Sequence, residues 1–392
     1  MRGDVVVGTE DGAGEPLYFD WAASAPLRDE ARAILVAHLD PKFGNASSLH
    51  APGRAARQAL TAARRAVAVA LGAGRDDVIF TGNGSEANLL ALVGAARALP
   101  RDRRHVVTTA IEHPSVLEPL EALARDGEIE LELLAVDHAG RIDPAALERA
   151  VKPATGLVSV QLANNEIGTV EPVAEIARRL RPRNVVLHSD ASQAIGKTTV
   201  RFDELGVDLL TASAHKFGGP RGVGIVLKRD GVALRSPLSS GRQESGLRGG
   251  TEDVAACAAA AAAATSAVAE QPALAERLAS LAAEFRTQLR SMWPAVTIYS
   301  PEGSVVPGLV NFALPGVRGD WLAAALDRVG VAVSHGAACA SRAAVPSHVL
   351  LAIGADAPRG AVRVSMGRTT TRADLDSLLA RLRRAASNVA HA

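Results

Sequence analysis

Leu209-Leu210-Thr211-Ala212-Ser213-Ala214-His215-Lys216-Phe217-Gly218-Gly219-Pro220 begins as a short apolar run, passes through small residues and ends in His-Lys and a glycine-proline turn. The run predicts a strand, and the turn puts Lys216 just beyond its carboxyl end. An amine at that rim can meet a carbonyl cofactor, because partial desolvation lowers a lysine's pKa and makes it nucleophilic. An ordinary surface lysine beside a turn also fits these residues. The surroundings have to decide.

Six more β-rich apolar runs lie at 77–80, 105–109, 131–136, 156–161, 185–188 and 224–227, and helical patterns at 53–71, 85–99, 115–125 and 173–180 lie between several of them. Strands alternating with helices predict an α/β fold, a mostly parallel seven-stranded sheet covered on both faces. Ligands of such sheets gather beyond the carboxyl ends of the strands. After about Thr251 an Ala-rich helical region is followed by short strands at 309–313, 331–334 and 361–365. Thr371 and Asp374 then form a capping-box pattern ahead of the stripe Leu375, Leu378, Leu379, Leu382. We expect a flexible tail over 1–16, a large domain over 26–260, and a smaller α+β domain from 17–25 plus 261–392.

The 392 residues are 48% hydrophobic, and 43 Lys+Arg nearly balance 42 Asp+Glu, so nothing points to nucleic acid or an anionic membrane. Two cysteines, Cys257 and Cys339, cannot build a disulfide framework, and a reducing cytoplasm is the expected setting. The first residues lack an apolar core long enough for a signal peptide, and the alanine run 255–264 reads as a buried helix rather than a span. No metal-ligand cluster is expected.

Three further stretches supply what a carbonyl cofactor on Lys216 would need. Asp190 ends the run 185–188 and can keep a pyridine nitrogen protonated, although an aspartate after a strand is equally at home as a helix cap. Gly82-Asn83-Gly84-Ser85 opens a helix whose unbonded N–H groups suit a phosphate monoester, or is a plain glycine turn with a serine cap. His113 can stack on an aromatic ring, and Asn164-Asn165 can offer amide donors or simply form a turn.

With these on one chain, the sequence resembles the class V aminotransferase-like, fold-type I pyridoxal-phosphate (PLP) enzymes, and within them the NifS/IscS-like cysteine desulfurases. The resemblance runs from Tyr18-Phe19-Asp20 to the last helix. It rests on FGNASS (43–48), FTGNGSEAN (80–88), EH (112–113), NNEIG (164–168), SDASQ (189–193), SAHKFGGPRG (213–222), RGGT (248–251), AVSHGAACAS (332–341) and RVSMGR (363–368). It implies a Schiff base on Lys216, Asp190 at the pyridine nitrogen and His113 stacked on the ring, assisting proton transfer. Asn165 and Gln193 would touch the phenolate oxygen. Gly84, Ser85, Ser213 and His215 would hold the phosphate, with Thr251 reaching that of a second subunit in a homodimer. Asn45 and Arg363 would bind the substrate carboxylate.

Cys339 lies among small residues, as an accessible nucleophile would, or as a small apolar side chain would. The resemblance implies that its thiolate attacks the sulfur of L-cysteine, leaving L-alanine and an enzyme persulfide for a sulfur-acceptor protein. Cys257 reads as a buried small hydrophobe. The chain departs from the family pattern at His335, Ala337 and Ala340, and at Asn88-Leu89, where Asp-Asn is usual. The alternatives are a selenocysteine lyase, a C–S β-lyase or an aminotransferase of the same fold. A non-catalytic scaffold would be marked by failure to take up PLP.

Overall fold

The computed structural model describes residues 16–39, 44–335 and 346–390. All seven expected runs form strands of one sheet, ordered Val78–Thr81, Gly224–Lys228, Leu209–Ser213, Val186–Asp190, Thr155–Ser159, His105–Thr109, Glu130–Leu134. The five from Leu209–Ser213 to Glu130–Leu134 are parallel. Gly224–Lys228 is antiparallel to both its neighbours, because the short connection through Lys216 returns directly and carries no crossover helix. Val78–Thr81 therefore points the same way as the parallel five. The ends of Val78–Thr81, Val186–Asp190 and Leu209–Ser213 thus open on one edge.

His105–Thr109, Thr155–Ser159 and Leu209–Ser213 are buried along their whole length, which explains their unbroken apolar or small-residue character. On one face, Val107, Val158, Leu187 and Leu210 pack with Leu60 and Val67 of helix Ala51–Leu71. On the other, Val106, Leu157 and Leu209 pack with Leu90 of helix Gly84–Ala98 and Leu120 of helix Pro114–Arg125. A buried ion pair ties the sheet's edge to its surroundings. Arg64 donates to both carboxylate oxygens of Glu244 at 2.7 and 2.8 Å, and Phe80 N donates to Glu244 Oε2 at 2.9 Å.

The second sheet has the order Ser334–His335, Ala361–Ser365, Leu309–Ala313, Thr297–Ile298. The expected strand over 331–334 divides between sheets. Val331–Ala332 pairs in parallel with Leu17–Tyr18, while Ser334–His335 pairs antiparallel with Val362 and Arg363. The capping box of the last helix forms: Thr371 N donates to Asp374 Oδ2 at 2.8 Å, and Asp374 N to Thr371 Oγ1 at 3.2 Å. Leu375, Leu378 and Leu382 are fully buried there.

Helix Val254–Met292 runs unbroken for 39 residues, through the boundary expected at 260/261. Its first part, including Cys257 and the alanines to Ala267, packs in the large sheet's core. Leu278, Phe285 and Leu289 pack in the second core, where Phe285 meets Phe312 edge-on at 5.8 Å. By length and composition this helix could cross a membrane, but 61% of its most apolar window is buried inside the protein.

Candidate active site

The open edge of the large sheet holds a cavity of about 310 Å³ lined by Gly84, Ser85, His113, Asn165, Asp190, Gln193, Ser213, His215, Lys216 and Arg363. Ten of the expected site residues are thus brought together. Asn45 is exposed and does not line the cavity; its Oδ1 accepts from Ser47 N at 2.8 Å in the turn before helix Ala51–Leu71. Thr251 is exposed beside Asp253, the cap of the long helix. Cys339 lies outside the described residues.

Lys216 follows Leu209–Ser213 by one short turn, and its Nζ donates to the carbonyls of Ala22 and Ala23 at 2.8 and 2.9 Å. Gln193 Nε2 donates to the same Ala22 carbonyl at 2.8 Å, while its Oε1 accepts from Lys197 Nζ at 2.8 Å. Burial lowers the Lys197 ammonium to about 7, and the charges of Lys216 and Arg363 add to the fall.

Asp190 is 8% exposed, and each of its oxygens has a donor: Ser192 N to Oδ1 and Asn88 Nδ2 to Oδ2, both at 2.8 Å. It both caps its own turn and faces the cavity. His113 caps helix Pro114–Arg125, its Nδ1 accepting from Ser115 N at 3.1 Å. Burial lowers its pKa and so favours the neutral ring, partly opposed by the Asp190 charge. His215, with Nδ1 3.2 Å from Ser24 Oγ, is lowered to about 4 by burial and by neighbouring Lys216.

At the other end of the cavity Asn83 caps helix Gly84–Ala98, its Oδ1 taking the N–H of Glu86. The helix-start N–H groups at Gly84 and Ser85 have no carbonyl one turn earlier to bond. A Cβ on Gly84 would lie 2.7 Å from Ser213 Cβ, so only glycine lets the helix start close on that strand end. This cradle, a partly positive helix end walled by Ser213 and His215, fits a phosphate monoester. The Asp190 carboxylate fits a ring nitrogen, and Lys216 a carbonyl carbon.

Arg363 is 1% exposed; one terminal nitrogen donates to Asp20 Oδ1 at 2.8 Å and the other to Asn165 O at 2.7 Å. Asp20 therefore partners the residue expected to bind a carboxylate. Glu112, beside His113, is fully buried, with Oε1 accepting from Thr109 Oγ1 and Gln161 N at 2.8 Å. Burial pushes its carboxyl up to about 8, against those two donors, and Asp190 adds to the rise. The folded chain keeps this proton to about pH 8, whereas the unfolded chain releases it near 4.5. Rising pH across that window therefore favours unfolding. Wild type should lose stability relative to Glu112→Gln between those values and level off above; parallel urea-denaturation series would contradict this.

Sequence reasoning missed the Ala22 and Ala23 carbonyls, which carry no sequence signal, and the Asp20 partner of Arg363. Asn88 was visible only as a departure from the family pattern.

A lysine, an aspartate, a histidine and a helix start converging on one edge of such a sheet define a cofactor-binding α/β enzyme. The family model Aminotransferase class-V matches residues 17–378, and the chain belongs to that family. Its members are PLP enzymes, and the seven-stranded architecture is their fold type I. The cysteine desulfurase IscS of Dictyoglomus turgidum is 40% identical over 365 residues, 93% of this chain and 92% of that protein. A solved NifS-like protein superposes with a TM-score of 0.89 at 32% identity, over 95% of this chain and all of that one. A solved structure of SspA in complex with cysteine superposes with a TM-score of 0.79 at 28% identity, over 91% of this chain and 100% of that one.

Proposed function

We propose that this protein is a PLP-dependent cysteine desulfurase that converts L-cysteine to L-alanine and carries the sulfur as a persulfide on Cys339. The observation carrying the reading is the convergence of Lys216, Asp190, His113 and the Gly84-Ser85 helix start on one cavity. Bound PLP would supply an electron sink for charge developing at the substrate Cα. Gly84, Ser85, Ser213 and His215 would hold its phosphate, Asp190 its ring nitrogen, and Gln193 and Asn165 its phenolate side. Thr251, exposed here, would serve the neighbouring subunit of a homodimer.

Lys216 would remove the proton at Cα, a task suited to an amine held at the cavity wall by two carbonyls. His113, neutral and stacked, would exclude water and steady the proton on its path. Arg363 and Asn45 would receive the substrate carboxylate. Cys339 as thiolate would attack the substrate sulfur: an S–S bond forms, the Cβ–S bond breaks, and its electron pair stays with the carbon skeleton, which protonates to alanine. The described residues flanking Cys339 support this assignment. Ser334 pairs with Arg363, and Ser347 Oγ donates to Glu166 Oε2 at 2.5 Å, both Arg363 and Glu166 lining the cavity.

We read the chain as a large PLP-binding unit over 26–260 with a smaller unit carrying Cys339, working in the cytoplasm with a sulfur-acceptor protein. Incubation with L-cysteine and a reductant is expected to yield alanine and sulfide. Cys339→Ser should abolish sulfide while keeping the visible absorption of bound PLP, and undiminished sulfide in that variant would rule out its role. Pyruvate with ammonia would indicate a β-lyase, and exchange with a keto acid an aminotransferase.

A further inference from the structure

Asn88 lies in the second turn of helix Gly84–Ala98 and is 1% exposed. An amide so buried must satisfy two N–H donors and a carbonyl. Its Nδ2 donates to Asp190 Oδ2 at 2.8 Å and to Ser115 Oγ at 2.9 Å, and its Oδ1 accepts from Thr211 Oγ1 at 2.5 Å. A carboxylate only accepts, so Asp190 fixes which way the amide faces.

The remaining hydrogens follow. Thr211 gives its proton to Asn88, so His188 Nε2, 3.0 Å away, must donate to Thr211, and His188 Nδ1 accepts from Ser159 Oγ at 2.9 Å. Burial, lowering His188 to about 4, keeps that ring neutral as the pattern requires. On the other side Ser115 Oγ receives an Asn88 N–H and gives its own proton to His113 Nδ1, 2.8 Å away. His113 then carries its proton on Nε2.

We propose that Asn88 is a positioning residue for this site, one amide holding the Asp190 carboxylate and, through Ser115, the His113 ring. The two groups that would face a PLP ring, one from a strand end and one from a helix cap, are thereby set by one side chain. That chain of bonds is anchored on strand Leu209–Ser213 through Thr211, which His188 of Asp190's own strand holds in turn. The inference rests on the PLP reading and goes one step beyond it.

Asn88→Leu keeps the branched four-atom shape of the side chain and removes all three bonds. PLP affinity of the apoprotein, followed by growth of the visible band, is expected to fall about tenfold or more, the scale of one lost charge-assisted hydrogen bond. The pH midpoint of that band should also move, because Asp190 loses a donor favouring its charged form; a merely structural role would leave it in place. Ser115→Ala cuts only the His113 arm, and should slow exchange of the substrate Cα hydrogen with solvent while PLP affinity stays within about twofold. Unchanged affinity and midpoint in Asn88→Leu would overturn the proposal. Should that variant fold poorly by circular dichroism, Asn88→Asp decides, since it sets a second carboxylate against Asp190. Its PLP affinity should fall below wild type as pH rises, and a wild-type pH dependence would overturn the proposal equally. A wild-type protein that takes up no PLP would sink the function and this inference together. Uptake by wild type with an unaltered Asn88→Leu would sink the inference alone.

Discussion

Lys216→Ala protein is expected to purify without the visible absorption of bound PLP and to turn over L-cysteine at least about a thousandfold more slowly, within the roughly 10²- to 10⁴-fold range of one proton-transfer group. Lys216 is the one lysine among the described residues lining the cavity. Lys197 is close enough to influence its surroundings, yet its Nζ is engaged with Gln193 Oε1 and lies outside the lining. Among the described residues no second lysine lines the cavity to replace the first. Absorption spectra and alanine production measure the two losses separately, and a variant with wild-type colour and rate would remove Lys216 from the site.

Glu244→Ala is expected to cost about 3–5 kcal/mol of stability, the usual loss when one partner of a buried ion pair is removed. The Glu244 side chain is 1% exposed and that of Arg64 18%, so the remaining guanidinium would sit largely out of water. Phe80 N–H would lose its acceptor as well. At roughly 2–4 °C per kcal/mol, the thermal midpoint should drop by about 10 °C. A double variant, Arg64→Leu with Glu244→Leu, should recover part of the loss because no lone charge remains. Equal midpoints for wild type and Glu244→Ala would refute the assignment. The pair matters to the site because it fastens the strand that delivers Gly84 and Ser85.

Much of this was legible in the chain itself. Apolar runs buried on both faces are continuous and the half-exposed edge strand Glu130–Leu134 alternates, so all seven strands could be placed, and Asp190 and Lys216 fell at strand ends where the structure has them. Direction was harder to read. Nothing in Gly224–Lys228 distinguishes a parallel from an antiparallel strand, since side-chain alternation is the same in both. Pairing partners distant in sequence were hidden for the same reason, and so Asp20 could not be matched with Arg363. Backbone carbonyls such as those of Ala22 and Ala23 leave no trace in residue identity at all. Asn88 differs: it was visible as a departure from the family pattern, but its three partners come from three separate elements.

The helix Val254–Met292, at 1.5 Å per residue, is roughly 58 Å long and lends its side chains to two separate cores. Neither core can melt alone without stripping half of that helix of its packing. Pro272, which has no amide hydrogen to offer, falls between the two packed stretches and makes the natural seam at which protection from hydrogen exchange would change hands. The two cores therefore share one spine, and damage to either should be felt in the other.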